Sequence, residues 1–118
     1  MAVPAKCVTE SVARQLQDNW KSTRAVEIER AMGAVDTREV FFTVAELEEY
    51  LEHVKSESVK QGILAAGVRI YFGAYDNDLT DKATVFLAPT IGNTQAAANN
   101  YNIQPLNQST GGIPPTNY

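Results

Sequence analysis

The amino-acid sequence predicts a small α+β domain: a mainly antiparallel three-stranded sheet packed against two or three helices, with an extended polar C-terminal tail. Two strand-like runs, residues 67–75 and 83–89, flank the polar turn 76–82 and indicate a β-hairpin. Helical periodicity precedes this hairpin, and two consecutive strands after a helix favour α+β over a doubly wound parallel sheet. The 118 residues, 44% of them apolar, suffice for one domain with one core.

Apolar spacing predicts two helices in the N-terminal part of the chain. The first spans residues 5–20, and its apolar face is formed by Val8, Val12, Leu16 and Trp20. A second, shorter helix spans residues 24–32 and ends at Gly33. The β-branched and aromatic cluster of residues 40–42 then predicts a short strand.

The clearest helix begins at Thr43, because Thr43 and Glu46 have the spacing of a capping box, and it ends at Gly62. The residues predicted to point inward from it are Val44, Leu47, Leu51, Val54 and Ser58. On the first hairpin strand, the side with Val68, Ile70 and Phe72 is predicted to face the core.

Composition divides the chain into a domain, residues 1–91, and a tail, residues 92–118, that carries no acidic or basic side chain. Asn, Gln, Gly and Pro dominate the tail, which is typical of disorder. Spaced apolar residues nevertheless predict that the tail docks on its own or a neighbouring subunit, and docking on a neighbour is a route to assembly. The predicted anchors are Tyr101, Ile103, Leu106, Ile113 and Tyr118.

Charge and hydropathy exclude several classes of protein. The net charge of −4 argues against nucleic-acid binding, which normally needs a basic surface. No stretch approaches the roughly 18 apolar residues of a membrane helix, and the N-terminus has no pattern of a secretory signal. We therefore expect a cytoplasmic protein with no membrane span.

No group of residues in the sequence predicts catalysis. His53 is the only histidine and has no partner at a suitable spacing, and Cys7 is the only cysteine. The turn of residues 76–81 has oxygen side chains at alternate positions, as calcium loops do, but it lacks the glycine and glutamate that such loops require. We expect neither enzyme activity nor a metal or other cofactor.

The best candidate for a binding patch consists of Arg38, Arg69, Tyr71 and Tyr75. If the strand near Val40 pairs beside the hairpin, the two guanidinium groups approach each other, and with aromatic neighbours they suit a carboxylate or a protein ligand. The alternative is that each arginine pairs with a nearby glutamate or covers the sheet with its aliphatic stem.

Residues 36–43, 67–75 and 84–90 resemble segments of a group of small bacterial proteins of unknown function. Those proteins carry the motifs R-V-x-F, G-[IV]-R-I-Y-F-G-x-Y and T-x-x-x-x-P-T, and the similarity covers residues 36–90. The resemblance implies the same architecture and no particular activity.

The sequence therefore favours a non-enzymatic protein that binds another protein or assembles with itself. One alternative is a small acidic inhibitor or immunity-type protein that binds one enzyme through its glutamate-rich helix. The other is a small-molecule sensor that uses Arg38, Arg69 and Tyr71.

Overall fold

A computed structural model describes residues 2–108 and 111–118. The elements in chain order are α1 (Glu10–Ser22), α2 (Arg24–Met32), α3 (Val44–Lys60), β1 (Gly67–Ala74), β2 (Ala83–Thr90) and β3 (Leu106–Asn107). The three strands form one antiparallel sheet in the order β1-β2-β3. The predicted α+β class and its three-stranded antiparallel sheet are confirmed. Among the described helices, none has both the length and the apolar content needed to cross a membrane.

Side-chain caps set where the helices begin. The Thr43 hydroxyl accepts a hydrogen bond from the Glu46 amide at 3.0 Å, and the Glu46 carboxylate accepts one from the Thr43 amide, which is the predicted capping box. Helix α1 begins at Glu10 rather than residue 5, because Thr9 caps it by accepting a hydrogen bond from the Val12 amide. Helix α2 ends at Gly33, whose φ of 74° is strained for other residues.

The core lies between α3, the sheet and the tail. Its buried apolar residues are Tyr50, Val54, Leu87 and Ile103. Tyr50 donates its hydroxyl hydrogen to main-chain oxygens of Leu87 and Gln104, at 3.3 and 2.8 Å, which turns this face of α3 toward the sheet. The predicted inward stripe was wrong at Val44 and Leu51, which are exposed because the helix faces the sheet through Tyr50 instead.

The core covers only one end of the sheet face. Val68 is half-buried against it, and Ile70 pairs in register with the buried Leu87. However, Ile70 is 64% and Phe72 84% exposed, so the prediction that both are core residues was wrong. They lie on the predicted side of the strand, but the helices leave them exposed.

The segment around Val40 and the tail are joined to each other. Val40 forms an isolated bridge with Gly111, so the predicted short strand is a single bridge and does not pair beside the hairpin. In the tail, Leu106 and Asn107 pair with β2, and Thr90 bridges to Asn99. Much of the tail is therefore an integral part of the fold.

The chain is open for its size. Its Cα radius of gyration is 16.6 Å, whereas a compact domain of this length has a radius of gyration of about 13.5 Å. Its accessible surface is 8784 Å², against roughly 6,300 Å² for a typical monomer of this mass.

Candidate functional site

An apolar groove of about 720 Å³ lies on the part of the sheet that α3 leaves uncovered. The side chains that form its floor come from the two long strands: Ile70, Phe72, Val85 and Leu87. Ile70 faces Leu87 and Phe72 faces Val85 in the antiparallel register, so all four project from the same side of the sheet.

Helix α1 forms one wall of the groove through Gln17 and Trp20. The Trp20 ring stacks on the Phe72 ring, with centroids 6.2 Å apart and planes 14° apart. The rest of the apolar face of α1, including Val12 and Leu16, is exposed. The helix therefore contacts the sheet near its C-terminal end and leaves most of its apolar stripe in solvent.

The end of the tail closes one side of the groove. Asn117 accepts a hydrogen bond from Arg38 Nη2 at 2.8 Å. The Tyr118 amide donates to Gln17 Oε1 at 2.9 Å, and Arg14 Nη1 donates to the Tyr118 main-chain oxygen at 2.8 Å. The Arg14 guanidinium also lies 5.7 Å from the centroid of the Tyr118 ring. These contacts connect the tail to α1 across the groove.

Arg38 is the cationic residue that lines the groove. Within the described residues, no carboxylate lies within ion-pair distance of its guanidinium. Its Nε atom is buried and has no hydrogen-bond partner there. A buried donor without a partner is costly, so the Arg38 guanidinium has hydrogen-bonding capacity that the described residues leave unused beside a groove that Glu39 also lines.

The other arginine of the predicted patch lies on the opposite face of the sheet. Arg69 alternates with Ile70 along β1, and its guanidinium donates to Asn99 Oδ1 at 2.5 Å and to the carbonyls of Gln95 and Ala97 at 2.7 and 2.8 Å. It therefore holds the first part of the tail against the sheet. Arg38 and Arg69 are not brought together, because Val40 pairs with Gly111 and not with the hairpin.

The two tyrosines of that patch also contact the tail. Asn99 Nδ2 donates to the Tyr71 hydroxyl at 2.8 Å, and this bond, aided by the nearby Arg69, lowers the pKa of Tyr71. The Tyr71 ring stacks on Phe86 with centroids 5.1 Å apart. The Tyr75 hydroxyl bonds to Asn107 Oδ1 at 2.7 Å.

The five predicted tail anchors differ in their surroundings. Ile103 is 4% exposed and belongs to the core, and Leu106 packs beside it in β3. Tyr118 reaches α1 through its main chain and ring. Tyr101 is 89% exposed, and Ile113 is also exposed, so within the chain these two side chains anchor little.

The remaining candidate residues have ordinary surroundings. In the hairpin turn, Asn77 Oδ1 accepts hydrogen bonds from the amides of Leu79 and Thr80, which shapes the turn itself. His53 is exposed, with its ring 6.5 Å from that of Tyr50, and Cys7 is exposed. In the part of the chain that the structure describes, no three His, Cys, Asp or Glu residues cluster as metal ligands would.

The acidic face of α3 is partly neutralised by its own lysines. Glu52 pairs with Lys55 at 3.5 Å, Glu57 pairs with Lys60 at 3.2 Å, and Glu46 serves in the capping box. These contacts use local i,i+3 neighbours and are exposed, which is usual for a solvated helix face.

The groove was not predicted from the sequence, because two of its floor residues, Ile70 and Phe72, were expected to lie in the core. The alternation of Ile70 and Phe72 correctly shows that they share a face, but it does not show how far a helix extends over that face. No family model matches the chain, and no curated protein or solved structure matches it either.

Proposed function

We propose that this protein is a non-enzymatic, cytoplasmic protein-binding unit that assembles with itself through the apolar surface around the groove. The observation that carries the proposal is that the isolated chain leaves most of its apolar side chains in solvent. Among the described residues, four large hydrophobic side chains are buried, whereas Val12, Leu16, Ile70, Phe72 and many others are exposed.

The size of the exposed surface supports a partner. The accessible area of 8784 Å² exceeds that of a typical monomer of this mass by roughly 2,500 Å². A standard protein interface buries about 800 Å² on each side. Large exposed apolar patches on otherwise ordinary domains mark interaction surfaces, and the groove places aromatic residues, which are enriched in interface cores, at the centre of this one.

A matched pair of variants tests the proposal. Ile70 and Leu79 are both exposed aliphatic residues of the hairpin, but only Ile70 lies in the groove. We expect light scattering to give the wild type and Leu79→Glu a mass above the 12.9 kDa of one chain, and Ile70→Glu a lower mass than either. Equal masses for the two variants would contradict a role for the groove surface.

A second candidate function, binding of a small anion with an apolar body, is favoured by Arg38. Its guanidinium lies beside an apolar floor, has no carboxylate partner among the described residues, and carries a buried Nε without a hydrogen bond. A carboxylate attached to an alkyl chain matches both features, because the charge would pair with Arg38 and the chain would cover Ile70 and Phe72.

Thermal-shift measurements with octanoate and octanol test this candidate. We expect octanoate to raise the melting temperature of the wild type more than octanol does, and Arg38→Gln to abolish that difference. The exposed Arg24 provides the control, since Arg24→Gln should keep it. If octanoate and octanol act alike on the wild type, Arg38 does not select a carboxylate.

A further inference from the structure

We propose that two copies of the chain associate through the open edge of β1, which joins their two three-stranded sheets into one continuous sheet. The inference rests on the proposed function and specifies it: the partner is a second copy, and the contact is antiparallel strand pairing. The inference depends on two features of the sheet. One is which N–H and C=O groups of β1 point away from β2, and the other is which residues cover the opposite edge of the sheet.

The hairpin register shows which residues of β1 face outward. The Tyr75 amide donates to the Lys82 carbonyl at 3.0 Å, so this pair is hydrogen-bonded toward β2. Hydrogen-bonded pairs alternate along an antiparallel ladder. The N–H and C=O groups that point away from β2 therefore belong to Val68, Ile70, Phe72 and Ala74.

Those outward groups are unpaired in the described part of the chain, where no hydrogen bond to them from the outer side is present. The opposite edge is different. Ala83, at the start of β2, bonds to Asp36 and Thr37, and the Pro89 carbonyl accepts from the Asn100 amide at 2.8 Å. Strand β3 covers part of the remainder. The long open edge of the sheet is thus that of β1.

Strand β1 lacks the usual protection of an exposed edge. Natural edge strands are commonly shielded by lysine, proline, bulges or a covering loop. The strand Gly67–Ala74 contains neither lysine nor proline, and it pairs with β2 over its whole length without a bulge. Its one charged residue, Arg69, lies on the far face and is bound by the tail. An unshielded edge of this length is a template for another strand.

The two-fold symmetry of a dimer and the alternation of outward-facing residues along β1 then restrict the register in which two copies of β1 can pair. In a two-fold antiparallel pair, outward-facing residues must lie opposite outward-facing residues. Nearly the whole strand pairs when Val68 lies opposite Ala74 of the second copy and Ile70 lies opposite Phe72 of the second copy. This register forms about eight main-chain hydrogen bonds. It also brings Ile70 and Phe72, both exposed in the single chain, against each other across the interface.

Amide exchange measured by NMR on the unmodified full chain tests the pairing residue by residue. At high protein concentration, we expect the amides of Val68, Ile70, Phe72 and Ala74 to exchange at least tenfold more slowly than in dilute solution. The amides of Arg69, Tyr71 and Gly73 bond toward β2, so they should be protected at both concentrations and provide the internal control.

Two substitutions at one residue separate edge pairing from apolar contact. Ile70→Pro removes an outward N–H and blocks the edge without removing a bond to β2, and an edge strand accepts proline at such a position. Ile70→Ala keeps the backbone and shortens the side chain. We expect Ile70→Pro to sediment as a monomer and Ile70→Ala to remain a weakened dimer, each retaining protected amides at Arg69 and Tyr71.

The outcomes distinguish this inference from the function on which it rests. A doubled mass with no concentration-dependent protection of the four outward amides overturns edge pairing and leaves self-assembly intact. A doubled mass for a folded Ile70→Pro variant also overturns it. A single-chain mass at every concentration overturns self-assembly itself. If Ile70→Pro fails to fold, the exchange measurement on the unmodified chain decides alone.

Discussion

At the scale of single residues, Arg69 is a side chain that the sequence predicts to bind a ligand and that the structure shows stabilising the fold. An arginine amid aromatic residues is typical of a binding patch, yet its guanidinium binds Asn99, Gln95 and Ala97 of the same chain. An intramolecular role was the alternative that the sequence left open, with a nearby glutamate as the partner or the aliphatic stem lying over the sheet. Main-chain carbonyls have no sequence signature, so this pairing was not predictable.

Loss of the Arg69 contacts should loosen the tail. We expect Arg69→Ala to lower the free energy of unfolding by about 2 kcal/mol, because it removes three hydrogen bonds to a charged group at a half-buried site. The control is Arg24→Ala, since Arg24 is exposed and, among the described residues, its side chain bonds only to the neighbouring Thr23. This variant should change stability by less than about 0.5 kcal/mol. Urea denaturation at low protein concentration gives both values; equal values would show that Arg69 does not hold the tail.

Tyr50 should make the stability depend on pH in the alkaline range. Burial raises the pKa of Tyr50, so the unfolded chain ionises first, at a pH of about 10, while the folded chain keeps the proton. The stability that Tyr50 contributes is therefore complete below this pH and is lost as the pH rises toward the raised pKa.

The variant Tyr50→Phe isolates this effect. Near pH 7 it should cost about 1 kcal/mol, because it removes the hydrogen bonds to Leu87 and Gln104. Above pH 10 the difference from the wild type should shrink. Tyr101→Phe is the control, since its ring is 89% exposed and should leave the profile unchanged. A difference that stays constant from pH 7 to 11 would contradict the raised pKa.

At the scale of elements, α1 contacts the sheet through one aromatic pair. Trp20 stacks on Phe72, while Val12 and Leu16 on the same helical face are exposed. The sequence predicted the helix and its apolar face, because both follow from spacing. It did not predict that the face would lie mostly in solvent, since amphipathic periodicity shows that a partner surface is needed and not where that surface is.

Breaking the aromatic contact should release α1 from the sheet. Trp20 is the only tryptophan of the chain, so tryptophan fluorescence reports on the surroundings of this one ring. We expect Phe72→Ala to shift the emission to longer wavelength as Trp20 becomes more hydrated. Phe41 is exposed and outside the stack, so Phe41→Ala should leave the emission unchanged. No shift in Phe72→Ala would mean that α1 is held by other contacts.

At the scale of the whole molecule, the chain folds around a small core and leaves a large apolar surface. The α+β class and the β1–β2 hairpin were accessible from the sequence, because the hairpin has clear strand patterns and a polar turn. The third strand was not, since it was expected at residues 40–42 and lies at Leu106–Asn107 in the tail. The position of the tail could be predicted from the sequence only in part. Ile103 belongs to the core. However, the Asn- and Gln-rich composition of the tail does not indicate which side-chain hydrogen bonds hold the tail in place.

The open shape of the molecule supports the proposal that a second copy covers the apolar surface. The radius of gyration of 16.6 Å and the solvent-accessible area of 8784 Å² both exceed the values typical of a compact monomer of this size. Such a surface is stable in water when another protein buries it.

Sedimentation equilibrium of the 118-residue chain over a wide concentration range tests this self-assembly. We predict a mass that rises with concentration to twice the 12.9 kDa of a single chain. A mass of one chain at all concentrations would contradict it.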